Sequence, residues 1–219
     1  MVVLREQLIA VLGHDLRNPL SAITMAVELM SASLGAEEAL IMGTIKRSTL
    51  RMAELVDNIM DFARTRLGEG IVLNRQQIVL RPVLEQVADE LRLTYPNRAI
   101  DITCSFNELV FCDADRVAQL VSNLVANAIT HGSHATPVLI EAFYNEGNLE
   151  ICVTNNGVPI AADMQEQLFT PFTRESSRPS QNGLGLGLYI ASEIARAHHG
   201  TLTCTSTHEK TCFTLRMNA

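Results

Sequence analysis

A histidine followed at once by an acid lies in the first predicted helix of this 219-residue chain. In a helix, His14 and Asn18 share a face one turn apart, and Asp15 lies about 100° around from the imidazole. Apolar residues recur on a separate stripe at steps of three to five, namely Leu4, Leu8, Val11, Leu16, Leu20, Ile23, Val27 and Met30. His14 is off that stripe, so the pattern predicts a solvent-facing titratable ring beside a carboxylate and an amide. Pro19 has no N–H for the helix ladder, which predicts a bend just after the histidine. Taken alone, one exposed histidine is more often a solvated surface residue.

A second polar stripe follows the helix that is predicted from Asp113, which can cap it, to about His131. It consists of Arg116, Gln119, Asn123, Asn127 and His131, and it ends at Gly132. Asparagine is a poor residue for a helix interior because its amide competes for the backbone. An amide oxygen is a hard, neutral ligand that suits Mg²⁺ carrying waters and phosphate oxygens. The stripe therefore indicates either a metal-assisted phosphate site or a merely solvated helix face.

A run of alternate glycines, Gly183, Gly185 and Gly187, precedes another predicted helix that contains Leu188. Glycine lets the backbone approach an anion closely, and a helix that starts there directs its first N–H groups at phosphate. The run has neither the Lys-Ser/Thr ending of a P-loop nor the spacing of a dinucleotide-binding turn. A glycine-rich loop by itself is weak support for a nucleotide site.

Two further stretches lie between the asparagine stripe and the glycines. The sequence Asn155-Asn156-Gly157 follows a predicted strand and indicates either a hairpin turn or a ligand site, and Pro159 could not pair in a central returning strand. The stretch 168–172 places two phenylalanines around a proline, and Phe172 is read either as core or as part of a site. Residues 173–182 are polar and fit a lid over a nucleotide. Arg174 in that segment either reaches phosphate or faces solvent.

Two predicted helices must position His14. A second helix begins near Glu37 and carries apolar residues at an average step near 3.5, namely Ile41, Ile45, Met52, Leu55, Ile59 and Phe62. Gly68 is its expected stop. Residues 1–68 are therefore predicted to form an antiparallel helical hairpin. One apolar seam of a lone hairpin stays half covered, so we expect two copies to pair into a dimeric four-helix bundle.

Mixed strands and helices must position the remaining polar residues. Residues 69–77 are predicted to be a hinge linker, and residues 78–219 an α+β domain with one sheet and helices on one face. The expected strands are 78–80, 100–106, 109–112, 138–144, 149–154, 201–205 and 212–216, and the expected helices are 82–93, 113–131 and 186–197. A hairpin turn is predicted at 145–148.

Composition limits the possible functions. The chain is 47% hydrophobic and 19% charged, so it can bury a core. The net charge of −7 and the absence of a basic cluster argue against a nucleic-acid partner. Its five cysteines are odd in number and contain no C-x-x-C pair, which favours buried reduced thiols. No apolar run or leader-like segment is apparent, so we expect a cytoplasmic fragment, and Met1 is interpreted as the start of a fragment whose upstream sensor domain is missing.

The sequence His-Asp-Leu-Arg-Asn-Pro-Leu at 14–20 resembles the phosphoacceptor box of sensor histidine kinases. The resemblance implies that His14 accepts a phosphoryl group from ATP and that Asp15 accepts the ring proton. Asn18 is implied to position the water or partner used when the phosphate is removed.

Later motifs resemble the nucleotide boxes of the same family. The stretch 123–128 is similar to the asparagine box, which implies that Asn127 is the Mg²⁺ ligand and that Asn123 lies nearby, whereas Thr130 and His131 replace the Lys and Tyr that the family often has. The implied ATP-binding set is Asn123, Asn127, His131, Asn155, Gly157, Phe172, Arg174, Gly183, Gly185, Gly187 and Leu188. Asn155 stands where the family usually has the Asp that binds adenine, a variant similar to bacteriophytochrome and PAS-linked kinases. The order of the boxes resembles the Bergerat (GHKL) fold, an α/β sandwich.

The sequence thus predicts a sensor histidine kinase core with ATP and Mg²⁺ as cofactors. The resemblance implies a homodimer that phosphorylates itself on His14 and then transfers the phosphate to an Asp of a response-regulator receiver domain. It also allows a phosphatase activity. The alternative is a non-catalytic, kinase-like module that binds nucleotide or another histidine kinase. Asn155, Thr130 and Pro159 support that alternative, whereas His14, Asp15, Asn127 and the three glycines argue against it.

Overall fold

The structure of the chain is a computed structural model that describes residues 20–21, 23–27, 36–165, 167–173 and 185–219. The chain divides into two compact units, Met1–Gly70 and Ile71–Ala219. The domain limits expected from the sequence, with a hinge at 69–77, stay a prediction. His14, Asp15, Asn18, Arg174 and Gly183 lie outside the described residues.

The first unit is helical at its described residues up to Arg66, and residues 67–70 are not helical. Residues 20–21 and 23–27 are helical, and helix α1 spans Ala36–Arg66. The buried side chains of the first unit include Leu20, Val27, Met42, Thr49 and Met60. α1 ends as expected, because Arg64 and Arg66 lie in its last turn and Gly68 has a φ of 87°.

The second unit contains seven strands and four helices among its described residues. The strands are β1 Gln76–Val79, β2 Ile100–Cys104, β3 Leu109–Cys112, β4 Val138–Asn145, β5 Asn148–Asn155, β6 Thr201–Ser206 and β7 Thr211–Asn218. The helices are α2 Leu80–Thr94, α3 Ala114–His131, α4 Ala162–Gln165 and α5 Gly187–Ala197.

A five-stranded mixed sheet has the order β2-β4-β5-β7-β6, in which β2 is parallel to β4 and every other pair is antiparallel. Alternate residues of its central strands, such as Ile140, Ile151, Phe213 and Leu215, are fully buried or nearly so. Helices α2, α3 and α5 pack on the sheet and contact one another through α3. The predicted fold class, a helical hairpin followed by an α/β sandwich, is confirmed for the part of the chain that the structure describes.

Several details differ from the sequence prediction, which also did not expect the short helix α4. β1 and β3 form a separate two-stranded ribbon instead of joining one sheet. Leu80, expected at the end of a strand, is instead the first residue of α2. It is fully buried together with Leu84, one turn later, so helical periodicity places it on the buried face of α2.

The predicted hairpin between β4 and β5 is present. Asn145 pairs with Asn148, and the two residues between them, Glu146 and Gly147, have φ values of 49° and 82°. Two consecutive positive φ angles are those of the type I′ turn that matches strand twist. No helix in the described ranges is long and apolar enough to cross a membrane.

Candidate functional site

Helix α3 positions the two asparagines. Asp113 caps the helix by accepting a hydrogen bond from Arg116 N at 3.1 Å, as the sequence predicted. One face of α3 is buried and consists of Val117, Leu120, Val121, Leu124, Val125, Ala128 and Ile129. Asn123 and Asn127 are half-buried and one turn apart. Packing of the apolar face therefore fixes where both amides point.

The Asn123 amide is the most informative atom group of the site. Its Nδ2 is fully buried and has no hydrogen-bond partner among the described residues. A Cβ added to Gly187 would lie 3.3 Å from Asn123 Oδ1, so this side chain lies against the first residue of α5. An unmatched buried donor costs about 1–3 kcal/mol. A donor held at that cost beside a helix N-terminus is suited to an acceptor-rich ligand.

In the described part of the chain, no side chain caps the N-terminus of α5. Its N-cap residue, Leu186, makes no capping bond with its side chain, and the first turn contains no acidic residue. The first N–H groups of a helix have no intrahelical acceptors, and the helix dipole favours an anion there. Together with Asn123, this end of α5 presents donors that fit phosphate oxygens.

Phe172 and Gly185 are joined by a backbone hydrogen bond. Phe172 N donates to Gly185 O at 2.9 Å, and both residues have positive φ, 63° and 70°. A Cβ on Gly185 would be 3.0 Å from Thr173 O, so glycine is needed at this close approach. Phe172 is 57% exposed, whereas Phe169 packs edge-on against Phe213 with ring centroids 6.3 Å apart. Of the two phenylalanines, the core interpretation therefore fits Phe169 and not Phe172.

Asn155 and Gly157 lie at the other end of α3. Asn155 is 6% exposed, and its Nδ2 donates to Asn156 O at 3.2 Å. Gly157 bridges to Gly132, the C-cap of α3, and a Cβ on Gly157 would be 3.1 Å from His131 O. After Gly157 the chain does not return along β5, whose neighbours are β4 and β7. The hairpin interpretation of this stretch is therefore wrong.

The structure brings most of the described candidates together along α3. Asn123 meets Gly187 near the start of α5, and His131, exposed in the last turn of α3, is beside Gly157. Leu188 is half-buried in the first turn of α5. No group of three or more His, Cys, Asp or Glu in the described part of the chain could hold a metal ion. A metal here would thus depend on an amide oxygen such as that of Asn127 and on phosphate oxygens.

A buried histidine that the sequence analysis missed connects α3 to α5. His198 Nε2 accepts from Asp113 N at 3.1 Å, and its Nδ1 donates to Ile194 O at 2.9 Å. Both bonds require a neutral ring protonated at Nδ1. Burial lowers the pKa of His198, and Ile194 O opposes that shift by accepting the Nδ1 proton. The ring therefore joins the N-cap of α3 to the last turn of α5.

The residues just before β1 join the same cluster. Asn74 N donates to Asp113 Oδ2 at 2.7 Å, and Arg75 Nη2 donates to Ala197 O at 2.7 Å. Arg75 thus places a cation at the C-terminal end of α5, where the helix dipole favours it. The sequence indicated only the Asp113 cap among these contacts of Asn74, Arg75 and His198. The hydrogen bonds of Asn74 and Arg75 join residues that are 39 and 122 positions apart, so they leave no local pattern in the sequence.

Comparison with known proteins assigns the chain to a protein family. Residues 4–68 match the sequence model of the His Kinase A (phospho-acceptor) domain. Residues 112–219 match that of the Histidine kinase-, DNA gyrase B-, and HSP90-like ATPase. The two matches leave out only residues 1–3 and 69–111. The chain belongs to the sensor histidine kinase family and has the two domains of its catalytic core.

Individual relatives agree with this assignment. The chain is 36% identical to the bacteriophytochrome of Pseudomonas aeruginosa over 98% of its own length and 30% of that protein. It is 31% identical to the adaptive-response sensory kinase SasA of Synechococcus elongatus over 92% of its length and 55% of that protein. The chain thus spans between about a quarter and just over half of the relatives KdpD of Escherichia coli, the bacteriophytochrome and SasA.

Solved structures share the fold. Full-length ShkA in complex with AMPPNP has a TM-score of 0.72 at 24% identity, over 97% of this chain and 45% of that one. The Acinetobacter baumannii histidine kinase AdeS has a TM-score of 0.63 at 23% identity, over 94% of this chain and 97% of that one. At these identities the likeness concerns the fold.

Proposed function

We propose that this chain is an ATP-dependent protein histidine kinase that phosphorylates itself on His14. The observation that carries the proposal is the donor site at the start of α5, where the unmatched amide of Asn123 lies against Gly187. The match of residues 4–68 to a phosphoacceptor domain supports His14 as the acceptor.

The residues along α3 divide the binding of ATP between them. Asn123 Nδ2 and the first N–H groups of α5 donate to phosphate oxygens, and the Asn155 amide is placed to bind the adenine. Asn127 Oδ1 holds Mg²⁺, an ion that neutralises phosphate charge during phosphoryl transfer. Gly185 and Phe172 fix the chain where it approaches the phosphates. Such transfer depends on positioning and charge neutralisation more than on covalent help from the protein.

The chemistry at the acceptor belongs to His14 and its neighbours. A neutral ring nitrogen of His14 attacks the γ-phosphorus, the bond from that phosphorus to the bridging oxygen breaks, and ADP leaves. Asp15 accepts the proton that the other ring nitrogen loses. Asn18 orients the water or partner that later removes the phosphate. The onward acceptor is an Asp of a response-regulator receiver domain.

Labelling with Mg²⁺ and ATP radiolabelled in the γ-phosphate tests the proposal. We expect an acid-labile, base-stable phosphate in the unchanged chain and in His208→Ala, which alters an exposed histidine. We expect none in His14→Ala. Unchanged labelling of His14→Ala would reject the proposal, and nucleotide binding without labelling of a confirmed dimer would favour the non-catalytic alternative. Addition of a receiver protein tests the onward transfer.

We also propose that the helical unit forms a homodimer through one face of α1. Ile41, Ile45, Met52 and Ile59 are exposed and lie within about 40° of one another at 100° per residue. The Met42, Thr49 and Met60 side chains on the neighbouring face are buried. The exposed stripe therefore needs a cover from outside the single chain.

A charge on this stripe tests the dimer. Ile59→Glu is expected to convert the dimer to a monomer in light scattering, because a carboxylate cannot be buried unpaired in an apolar seam. Leu50→Glu is the matched control, since Leu50 is equally exposed but lies about 90° beyond the buried face. A dimer that survives Ile59→Glu, or one that Leu50→Glu also breaks, contradicts this interface.

A further inference from the structure

Arg98 is a buried charge that the site described above does not use. It lies in the connection between α2 and β2 and is only 6% exposed. A guanidinium stays protonated in proteins, and here Nε and Nη2 are buried without a hydrogen-bond partner among the described residues. A buried charge with unmatched donors is not a source of stability. Arg98 therefore marks a place where a function outweighs packing.

In the described part of the chain, the Arg98 guanidinium makes one hydrogen bond, which leads to the end of α3. Nη1 donates to Ser133 O at 2.6 Å, and Ser133 directly follows the C-cap of that helix. The backbone around Arg98 is also fixed, because Arg98 N donates to Tyr95 O at 2.9 Å and Ala99 O accepts from Val138 N at 2.9 Å. The guanidinium is thus a firmly held support for Ser133.

Ser133 connects Arg98 to the turn that contains Asn155. Ser133 N donates to Asn156 O at 2.6 Å, and the same oxygen accepts Asn155 Nδ2 at 3.2 Å. Asn156 Nδ2 donates to Glu209 O at 2.6 Å, which holds the side chain of Asn156 and not its carbonyl group. The Asn156 carbonyl is thus held through Ser133, whose own carbonyl is held by Arg98.

The carbonyl of Asn156 decides which way the Asn155 amide faces. An amide has an acceptor at Oδ1 and two donors at Nδ2. While Nδ2 donates to Asn156 O, Oδ1 is the atom left for the adenine amino group. A rotated amide would place Oδ1 against Asn156 O, as two acceptors without a proton, and would offer Nδ2 to the base. An aspartate has two acceptor oxygens and no such choice.

We propose that Arg98 is a positioning residue that makes the nucleotide site selective for adenine. It supports Ser133, and Ser133 keeps Asn156 O where that oxygen accepts the Asn155 amide. Oδ1 of Asn155 then stays available to the adenine amino group. This role rests on the proposed function, which assigns the adenine to Asn155. It also fits the replacement of the family aspartate, because only an amide needs its orientation fixed.

The chemistry of the base gives this role a direct readout. Adenine has an amino donor at position 6, whereas hypoxanthine, the base of inosine triphosphate (ITP), has an acceptor oxygen there. A fixed Oδ1 matches only adenine, while an amide that rotates freely can serve either base. We expect the wild type to bind ATP roughly tenfold more tightly than ITP, the value of one hydrogen bond gained or lost. In Arg98→Met the preference should fall to about threefold or less.

Calorimetric titration of the whole chain with Mg²⁺ and ATP, ITP or inorganic triphosphate tests the proposal. Inorganic triphosphate has no base, so its affinity should be the same in the wild type and in Arg98→Met. Arg98→Lys keeps a donor for Ser133 O and should retain the preference for ATP. Arg92→Met is the matched control, because it removes another buried-end guanidinium that donates to a different backbone oxygen, that of Ile100.

The outcomes separate this role from the proposed function. An Arg98→Met variant that prefers ATP as strongly as the wild type would overturn the proposal for Arg98, and so would a wild type that binds ATP and ITP equally. An equal loss of preference in Arg92→Met would overturn it too. A wild-type chain that binds no ATP would instead reject the proposed function, and the role of Arg98 with it. If Arg98→Met fails to fold, Arg98→Gln takes its place, since its side chain is too short to reach Ser133 O.

Discussion

Replacing Asn123 by alanine should have opposite effects with and without nucleotide. In the chain by itself, Asn123 Nδ2 is fully buried and unmatched, a defect of about 1–3 kcal/mol. Alanine removes that defect and is a better helix former by roughly 0.5 kcal/mol. The lost contacts of a half-buried side chain offset part of this gain. We expect a net stabilisation on the order of 1 kcal/mol.

Bound ATP should reverse the relative stability of the wild type and Asn123→Ala. A ligand at 100 times its Kd stabilises the folded state by about 2.7 kcal/mol. If Asn123 Nδ2 donates to a phosphate oxygen, its loss weakens binding by about 1.5–3 kcal/mol, as expected for a hydrogen bond to a charged group. Most of the stabilisation by ATP then disappears in Asn123→Ala at the same concentration. Without ATP, the variant should unfold at a higher temperature than the wild type. With ATP, it should unfold at a lower temperature than the wild type.

Scanning calorimetry with and without Mg²⁺ and ATP measures both effects. One kcal/mol corresponds to about 2–4 °C in Tm for a chain of this size. Ser122→Ala is the matched control, since it changes the helix propensity of the neighbouring residue but removes no amide. If Asn123→Ala melts below Ser122→Ala in the absence of ATP, the amide is satisfied and the argument from its burial is refuted. If ATP raises the Tm of Asn123→Ala as much as that of the wild type, Asn123 is not in the site.

Three further predictions concern the glycine turn, the buried histidine and the acceptor helix. Gly185→Ala should weaken ATP binding in calorimetric titration, and it should destabilise the fold more than Gly147→Ala does. Both glycines have a positive φ, but only a Cβ on Gly185 would come as close as 3.0 Å to backbone atoms. Gly147→Ala should therefore lower the free energy of unfolding by only about 1 kcal/mol. The pKa of His198 in the folded chain is lowered from the ordinary histidine value of about 6.5, chiefly by burial, so the unfolded chain binds more protons. Urea unfolding should therefore show the stability falling as the pH drops below about 6.5, by at most about 1.4 kcal/mol per pH unit. His198→Gln should flatten this dependence and His208→Gln should not. Asn18→Ala should spare autophosphorylation and slow dephosphorylation of the receiver, and equal loss of both would contradict that division of roles.

Periodic patterns predicted most of the elements because they record which face of an element is buried. The apolar and polar stripes of α3 predicted both the helix and its polar face, and Asp113 as a capping residue predicted where the helix starts. The hairpin turn at 145–148 was predictable because Gly147 readily adopts the positive φ that such a turn requires. The seam of α1 from Ile41 to Ile59 is likewise visible in the sequence, and the structure adds that this seam is exposed in the single chain.

Other features were beyond the sequence because they depend on packing between distant segments. The contact of Asn123 with Gly187 joins residues 64 positions apart, and nothing local to either indicates it. Phe172 was open to a core interpretation because phenylalanine is usually buried, and only its positive φ and exposure separate it from Phe169. Cys152 and Cys212 show no relation in the sequence, because strand register and not spacing makes them diagonal neighbours on adjacent strands.

The replacement of the family aspartate by Asn155 is explained by the packing of the turn itself. Asn155 Nδ2 donates to Asn156 O and would lie 3.0 Å from a Cβ on Gly132 and 3.6 Å from one on Gly157, so the amide is enclosed between two glycines. A carboxylate cannot donate this hydrogen bond, and at 6% exposure its charge would need a compensating donor. The neutral amide therefore keeps the turn closed by itself, while its carbonyl retains the acceptor that an adenine amino group requires. The departure from the family pattern is thus compatible with nucleotide binding, so Asn155 by itself does not favour the non-catalytic module, for which Thr130 and Pro159 remain the other support.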